Sequence, residues 1–278
     1  MTKGIQYILL ATFFFTLMNI GVKYLDHIPA YEIVFFRALV SLIVCYIMLK
    51  QQKIYPWGND KKNLLLRGIF GTLGLTMYFY TIQQMPLVSA VTIQYLSPIF
   101  TIIIAGIMLK EPPRLIQWFF FLMSFSGVVM IKGFDPRIDP IDLIFGISAA
   151  ICSGFAYNYI RKLKKTDHPL VVVLYFPLVT VPIVGAYTMF HWVSPHLLEW
   201  IILLAVGGAT TIAQIYMTKA YQMERASNVS NFNYLGSVYA LIIGYFLFGE
   251  SISPLGLCGI AVIIIGVLLS ARYKTIPT

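Results

Sequence analysis

The chain has 278 residues, of which 59% are apolar and 11% are charged, and its formal net charge is +9. Ordinary soluble domains carry about a quarter charged residues and about half apolar residues. The composition therefore excludes a soluble protein, and the short polar stretches between apolar runs leave no room for a soluble catalytic domain.

Apolar runs long enough to cross a bilayer, about 20 residues each, follow one another along the chain. No small-residue cleavage site follows the first run, so we expect it to be retained as a membrane span. The sequence predicts an all-α polytopic membrane protein. Its ten predicted transmembrane helices are 5–23, 30–49, 64–84, 88–109, 115–131, 142–161, 169–190, 197–219, 227–248 and 254–271.

The lysines and arginines are distributed unequally between the two sides of this predicted bundle. With the N-terminus in the cytoplasm, sixteen of them lie on the cytoplasmic side, Arg67, Arg161 and Lys219 among them, and three lie on the other side. Such an excess is typical of cytoplasmic loops. We therefore expect a multi-pass protein of the cell (inner) membrane with both termini in the cytoplasm, and no nucleic acid as a partner.

The chain matches itself at an offset of 139 residues, half its length. The aligned pairs include Asn19 and Asn158, Lys23 and Lys162, Thr72 and Thr211, Tyr95 and Tyr234, and Glu111 and Glu250. This repeat predicts two five-helix units, 1–139 and 140–278. Because five is odd, the second unit enters the membrane from the opposite side, which gives inverted repeats around a central cavity, as in transporters. A duplication that serves packing alone is the alternative.

Three stretches carry a family resemblance. They are Pro29–Ala38, Ser89–Glu111 with Tyr95-Leu96-Ser97-Pro98 midway, and Ala220–Glu250. In this order and repetition they resemble the EamA-type unit of the drug/metabolite transporter superfamily, from Ile5 to about Arg272. The resemblance implies a ten-helix bundle in which the third, fourth, eighth and ninth helices, with the first and sixth, surround a central cavity. It does not imply a substrate.

The two halves differ at two places where a helix can break or hold a charge. Leu235-Gly236-Ser237 stands where the first half has Leu96-Ser97-Pro98, and Phe176-Pro177 stands where the first half has Arg37-Ala38. A proline within a helix removes one backbone hydrogen bond, so we expect a kink at Pro98 and a weaker one at Gly236. These hinges serve either the substrate or packing alone.

Polar side chains within the spans should face the bundle interior, because burying them in hydrocarbon without a partner costs several kcal/mol. For Asn19 and Asn158, hydrogen bonds between helices are favoured over substrate contact; for Gln94, Tyr95, Asn231 and Tyr234 the reverse holds. Arg37 either anchors its helix at the outer surface or binds an anion. The candidate substrate-binding residues are Asn19, Arg37, Tyr78, Gln94, Tyr95, Asn158, Gln214, Asn231 and Tyr234.

Glycines and charged residues near the helix ends have structural interpretations. Gly68 and Gly71, with Gly207 and Gly208, are expected to mark close helix contacts. Glu111 and Glu250 are expected to order loops, and Lys219 to extend toward the membrane surface. All acidic residues lie in loops or near span ends, so proton antiport through a carboxylate within the membrane is not expected.

No HExxH motif is present, the four histidines lie in or near loops, and the cysteines have no CxxC spacing. We therefore expect no enzyme, no metal site and no cofactor. The sequence predicts a secondary transporter, a carrier or exchanger acting as a monomer in the lipid bilayer, that exports a small polar metabolite such as an amino acid. The alternatives are an exchanger of small organic anions or nucleotide sugars and, in another class, a membrane-embedded enzyme.

Overall fold

The computed structural model describes residues 2–25, 27–84, 90, 93–132, 139–248 and 254–273. Within this part of the chain the secondary structure is helical, without strands. The ten helices of twelve or more residues are α1 (Lys3–Lys23), α2 (Ala30–Gln51), α3 (Lys61–Gln84), α4 (Ser97–Met108), α5 (Leu115–Lys132), α6 (Pro140–Lys162), α7 (Pro169–Phe190), α8 (Leu197–Met223), α9 (Leu235–Phe248) and α10 (Pro254–Arg272).

The predicted polytopic, all-α class is confirmed. Eight of these helices agree with the predicted spans to within a few residues, because a chain in hydrocarbon must satisfy its backbone polar groups within each segment. Within the residues that the structure describes, five helices are long and apolar enough to cross a bilayer. Their crossing segments are Lys3–Val22, Ala30–Gln51, Pro140–Lys165, Pro169–Phe190 and Leu197–Met223.

The predicted mid-helix kink at Pro98 is wrong. Tyr95 and Leu96 form a turn, and α4 begins at Ser97, so that Pro98 lies in its first turn. A proline there loses no intrahelical hydrogen bond, because the first N–H groups of a helix have no partner in any case. The chain thus breaks before the proline, and α4 is a short helix of twelve residues.

The ninth predicted span is also broken, over a longer stretch than Gly236 alone implied. A short helix (Ala226–Val229) and a 3-10 turn (Ser230–Tyr234) precede α9, and Gly236 is the second residue of α9. Serine and asparagine side chains fill this stretch. They compete with the backbone for hydrogen bonds and so disfavour a regular helix.

The principal helix contacts join the first half of the chain to the second. α1 packs along α8, α3 along α6, α2 along α7, and α5 along α10. Two hydrogen bonds repeat at the offset of 139 residues: Ser41 to Thr211 at 2.7 Å between α2 and α8, and Thr72 to Thr180 at 2.8 Å between α3 and α7. The buried core therefore lies between the halves, and neither half packs independently of the other.

Glycines permit the close approach of several helices, as predicted. A Cβ added at Gly68 would lie 2.7 Å from the carbonyl oxygen of Tyr175, and one at Gly207 would lie 2.6 Å from Cβ of Val40. Gly208 was wrongly included, since nothing lies within 4 Å of its Cβ position. The tightest backbone approach outside these pairs is at Gly127 of α5, 2.7 Å from the carbonyl oxygen of Gly259 in α10.

Replacing Gly127 with alanine should destabilise the contact between α5 and α10. The added Cβ would meet the Gly259 oxygen at 2.7 Å and Cγ1 of Ile263 at 2.8 Å, and overpacking of this kind costs about 1–3 kcal/mol. The measurement is the thermal unfolding midpoint of the purified protein in detergent. Gly208→Ala is the matched control and should leave the midpoint unchanged or raised; equal behaviour of the two variants would contradict the proposed contact.

Candidate functional site

Two arginines lie buried between the halves. Arg37 on α2 is 4% exposed and Arg67 on α3 is 2% exposed. Nη1 of Arg37 lies 3.5 Å from Sδ of Met18, while Nη2 of Arg67 donates to Oε1 of Gln214 at 3.1 Å. The Arg67 guanidinium also lies 5.1 Å from the ring centroid of Phe176. The interfacial anchoring considered for Arg37 does not fit a side chain so deeply buried.

Within the described part of the chain neither guanidinium has a carboxylate partner. The Nε atoms of Arg37 and Arg67 have no hydrogen-bond partner there either. Taking a charged group out of water costs several kcal/mol unless an opposite charge and hydrogen bonds compensate. A sulfur atom, one amide and an aromatic ring compensate only part of that cost, so the site favours an anionic group.

Tyr157 of α6 connects the two arginines to the rest of the site. Its hydroxyl interacts electrostatically with both guanidinium groups, and its ring stacks on Tyr221 with centroids 5.1 Å apart. The Tyr221 hydroxyl lies 3.2 Å from Oγ of Ser230 and accepts from Nδ2 of Asn233 at 3.2 Å. A row of polar groups therefore runs from the arginines to the broken segment before α9.

The repeat-equivalent tyrosines Tyr95 and Tyr234 meet at this break, with ring centroids 5.9 Å apart. Tyr234 is fully buried, and its hydroxyl has no hydrogen-bond partner among the described residues. Tyr78 of α3 interacts electrostatically with Tyr95. A Cβ on Gly236 would lie 3.1 Å from the Tyr95 hydroxyl, so the glycine keeps room for that group.

Asn158 and Asn19 have different surroundings although they align in the repeat. Asn158 is fully buried and donates to the carbonyl oxygens of Thr101 and Gly154, each at 2.8 Å. The bond to Thr101 joins α6 to α4, whereas the bond to Gly154 lies within α6. Asn19 is exposed on α1.

Gln94 and Asn231 also make contacts between helices. Gln94 donates to Oγ of Ser153 at 3.1 Å, and Asn231 donates to the carbonyl oxygen of Gly266 at 3.3 Å. The side-chain carbonyl oxygens of the two amides, Oε1 of Gln94 and Oδ1 of Asn231, have no hydrogen-bond partner among the described residues. Of the predicted site residues, the structure thus brings Arg37 and Gln214 to the arginine group, and Tyr78, Tyr95 and Tyr234 to a neighbouring tyrosine group.

An ion pair joins the halves at the face of the bundle where α1 begins, here called the N-terminal face. Nη2 of Arg161, in the last turn of α6, lies 3.0 Å from Oε1 of Glu111, which follows α4. Arg161 also donates to the carbonyl oxygen of Gln222 at 3.1 Å. This geometry fits the loop-ordering role expected of Glu111, while its repeat partner Glu250 lies outside the described residues.

The EamA-like transporter family model matches the chain twice, over residues 2–133 and 141–272. The chain belongs to the EamA-like transporter family. The predicted family and the prediction of a transporter that is not an enzyme are both confirmed.

Several transporters are similar over most of their length. The pseudopaline exporter CntI of Pseudomonas aeruginosa is 29% identical over 98% of this chain and 97% of its own. Solute carrier family 35 member G1 of Mus musculus is 30% identical over 86% of this chain and 70% of its own length. The S-adenosylmethionine uptake transporter of Rickettsia prowazekii is 26% identical over 89% of this chain and 85% of its own length. A solved structure described as "Crystal structure of protein" shares the fold, with a TM-score of 0.84 and 17% identity. The match covers 98% of this chain and 99% of the other.

Arg67, Tyr157 and Tyr221 belong to the candidate site but are absent from the residues that the sequence predicts for it. The sequence counts Arg67 among the basic residues of the cytoplasmic side; in the structure it lies six residues after the start of α3 and is buried. Its position inside the apolar run 64–84 was the available signal. Arg161, which the sequence also counts on the cytoplasmic side, is likewise buried, at 5% exposure.

Glu111→Gln should destabilise the fold by about 3 kcal/mol, because it leaves the buried Arg161 guanidinium without its charge partner. Both side chains are largely buried, at 18% and 5% exposure. The thermal midpoint in detergent measures the effect. Adding Arg161→Met to Glu111→Gln should restore part of the lost stability, because no unpaired charge then remains buried. If the double variant loses as much stability as Glu111→Gln and Arg161→Met lose in sum, the two residues do not act as a pair.

Proposed function

We propose that this EamA-family protein is a secondary transporter that exports a small metabolite bearing a carboxylate, such as an amino acid or its derivative. The observation that carries the proposal is the pair of buried guanidinium groups, Arg37 and Arg67, without a described carboxylate partner. An unpaired cation within a transporter marks a substrate path. A substrate carboxylate would supply the missing negative charge.

The chemistry of the group suits a carboxylate. A guanidinium presents its N–H donors in a planar fork that matches the two oxygens of a carboxylate. The Tyr157 hydroxyl, which interacts electrostatically with both arginines, can donate a further hydrogen bond. Phe176 and Tyr221 offer aromatic faces beside these polar groups, so one end of the substrate would be charged and the other apolar or aromatic-stacking.

We assign the remainder of the substrate to the tyrosine group of Tyr78, Tyr95 and Tyr234. The breaks just before Pro98 and Gly236 would be the hinges that let this part move, because regular helical hydrogen bonding is interrupted there. Freed backbone groups at such breaks serve substrates in other transporters. Asn158 and Asn231 would then hold the surrounding helices in place.

The alternative exchanger of nucleotide sugars has less support. The phosphates of a nucleotide sugar would need several cations beside them. Lys219 is half-buried instead, with its Nζ 5.7 Å from the ring centroid of Tyr7 and 5.8 Å from that of Tyr216. It also interacts electrostatically with His168. His168 is the N-cap of α7; burial lowers the pKa of its imidazole, and the positive charge of Lys219 lowers that pKa further. The imidazole is therefore less able to add a positive charge.

We propose that residues 1–139 and 140–278 are inverted repeats that alternate access around this site as a monomer. The double family match, the reciprocal helix packing and the repeated hydroxyl bonds support this arrangement. The N-terminal face would lie in the cytoplasm at the cell (inner) membrane, in accord with the excess of basic residues. Export is supported by the likeness to the pseudopaline exporter over 98% of the chain.

Transport should need no proton gradient. The described acidic residues lie in loops, at helix caps or in the first turns of helices, as Glu32, Asp142 and Glu199 do. None of those described lies in the middle of a helix, where a proton relay would need it. We therefore propose a uniporter or an exchanger.

Arg37→Gln and Arg67→Gln should each lower transport by about tenfold or more in proteoliposome counterflow with labelled amino acids and small carboxylates. A hydrogen bond to a charged group contributes about 1.5–3 kcal/mol, and 1.4 kcal/mol corresponds to a factor of ten. Arg272→Gln, at an exposed arginine, is the matched control. Unchanged counterflow in both folded variants, with their thermal midpoints retained, would overturn the carboxylate assignment.

Tyr157→Phe should raise the half-saturating substrate concentration by about tenfold, because it removes a hydroxyl that interacts electrostatically with both arginines but keeps the ring on Tyr221. Tyr159→Phe is the control on the same helix, since Tyr159 stacks on Phe70 with centroids 5.8 Å apart. The half-saturating concentration of each variant is measured from initial rates of counterflow at a series of substrate concentrations. Equal effects of the two substitutions would remove Tyr157 from the site.

A further inference from the structure

Two histidines and a glutamate meet at the face opposite the N-terminal face. His27 lies in the turn between α1 and α2, His196 is the N-cap of α8, and Glu199 is the third residue of α8. One ligand atom from each lies within 4.8 Å of the others. We propose that His27, His196 and Glu199 form a binding site for a divalent first-row transition metal ion, with Zn²⁺ as the preferred probe.

The start of α8 holds two of these groups in place. The backbone N–H of His196 donates to Oε2 of Glu199 at 2.6 Å, as in a capping box. Oε1 of the same carboxylate lies 3.3 Å from Nδ1 of His27. One oxygen of Glu199 is thus used by the helix end, and the other is directed at the histidine of the first half.

Buried neighbours position His27 although its own side chain is exposed. Leu25 and Ile28, on either side of it, are 1% and 4% exposed and pack in one cluster with Leu203 and Val206 of α8. The turn is therefore held over the start of α8. The His27 and His196 rings stack with centroids 5.1 Å apart and an interplanar angle of 19°, so the two imidazoles lie in direct contact.

A buried carboxylate beside the cluster provides a second, independent reason for a cation. Glu32 is fully buried; its Oε2 accepts from the backbone N–H of Val193 at 3.1 Å, and its Oε1 has no hydrogen-bond partner among the described residues. Glu32 interacts electrostatically with both His27 and Glu199. Two neighbouring carboxylates repel each other, and a divalent cation at the cluster would relieve that repulsion.

The ligand set selects the class of metal. Imidazole nitrogen favours Zn²⁺, Ni²⁺ and Cu²⁺ over Mg²⁺ and Ca²⁺, and two histidines with one carboxylate leave a fourth zinc position for water or another ligand. Tetrahedral zinc with bonds of about 2.0–2.2 Å places neighbouring ligand atoms about 3.3–3.6 Å apart. The exposed rings of His27 and His196 would close the remaining distance by turning about their side-chain bonds.

A bound ion would connect the two halves of the chain. His27 belongs to the first half, and His196 and Glu199 belong to the second. Near this site the Tyr31 hydroxyl of α2 already donates to the backbone carbonyl oxygen of His191, at 2.7 Å. The metal would add a stronger connection at the same face, so its binding should stabilise the folded protein against heat.

The test is titration of the purified full-length protein in detergent with ZnCl₂ after treatment with a chelator, followed by calorimetry and by the thermal midpoint. We expect one Zn²⁺ per chain and a raised midpoint. His27→Gln and Glu199→Gln should each weaken binding by about tenfold or more. His191→Gln is the matched control, because His191 is an exposed histidine on the same face whose ring stacks on Tyr187 with centroids 4.4 Å apart. The Zn²⁺ affinity of this variant should stay within about twofold of that of the unmodified protein.

Two results would overturn the proposal. One is the absence of saturable Zn²⁺ binding by the unmodified protein. The other is binding that His27→Gln and Glu199→Gln leave unchanged, or that His191→Gln weakens equally. Metal-free thermal midpoints of all variants show that they are folded, and Glu199→Gln keeps an oxygen acceptor for the helix cap. The site does not depend on the proposed substrate, since the titration measures metal binding alone.

Discussion

The packing of α1 along α8 and of α3 along α6 is the constraint on which the rest of this structure depends. Each pair takes one helix from either half, so the core and the candidate site form only when both halves are present. The hydroxyl pairs Ser41–Thr211 and Thr72–Thr180 fix the neighbouring helices α2 and α7 against the same frame. Helices that lack a hydrophobic driving force between them in lipid associate through such close packing and hydrogen bonds.

The frame is reciprocal, but the site within it is not. At the repeat offset Arg37 corresponds to Phe176, and Met18 corresponds to Tyr157. Arg37 contacts Met18, whereas Phe176 lies against Arg67. The two halves thus place different side chains at equivalent positions. Within the candidate site the first half contributes both arginines, and the second contributes aromatic rings and the amide of Gln214. A substrate with one charged and one apolar end suits such unequal walls.

Connections between the halves occur at both ends of the bundle. The N-terminal face has the buried pair Glu111–Arg161, and the opposite face has Glu32, which binds the backbone of Val193. A carrier that alternates access must break the contacts between the halves at one face while those at the other face remain. In the proposed alternating-access cycle, the strength of these contacts at each face would influence which state is populated, and a metal ion at the proposed site would shift that balance.

The sequence by itself determined the helices and the repeat. Backbone groups must be satisfied within each segment in lipid, so apolar length predicted eight of ten helices to within a few residues, and the recurring motifs indicated the family. Serines and asparagines between Ala226 and Tyr234 show why the ninth span breaks, yet apolar length alone does not reveal it.

Only the tertiary structure decided which side chains meet. The helices are apolar on most faces, so no periodic stripe tells which face turns toward which neighbour. Arg67 lies inside its predicted span, but only the fold places Phe176 of α7 beside it. Likewise only the fold brings His27 close to Glu199, which is 172 positions further along the chain. Lateral contacts between helices depend on side-chain fit across distant segments, and that fit exists only once the chain has folded.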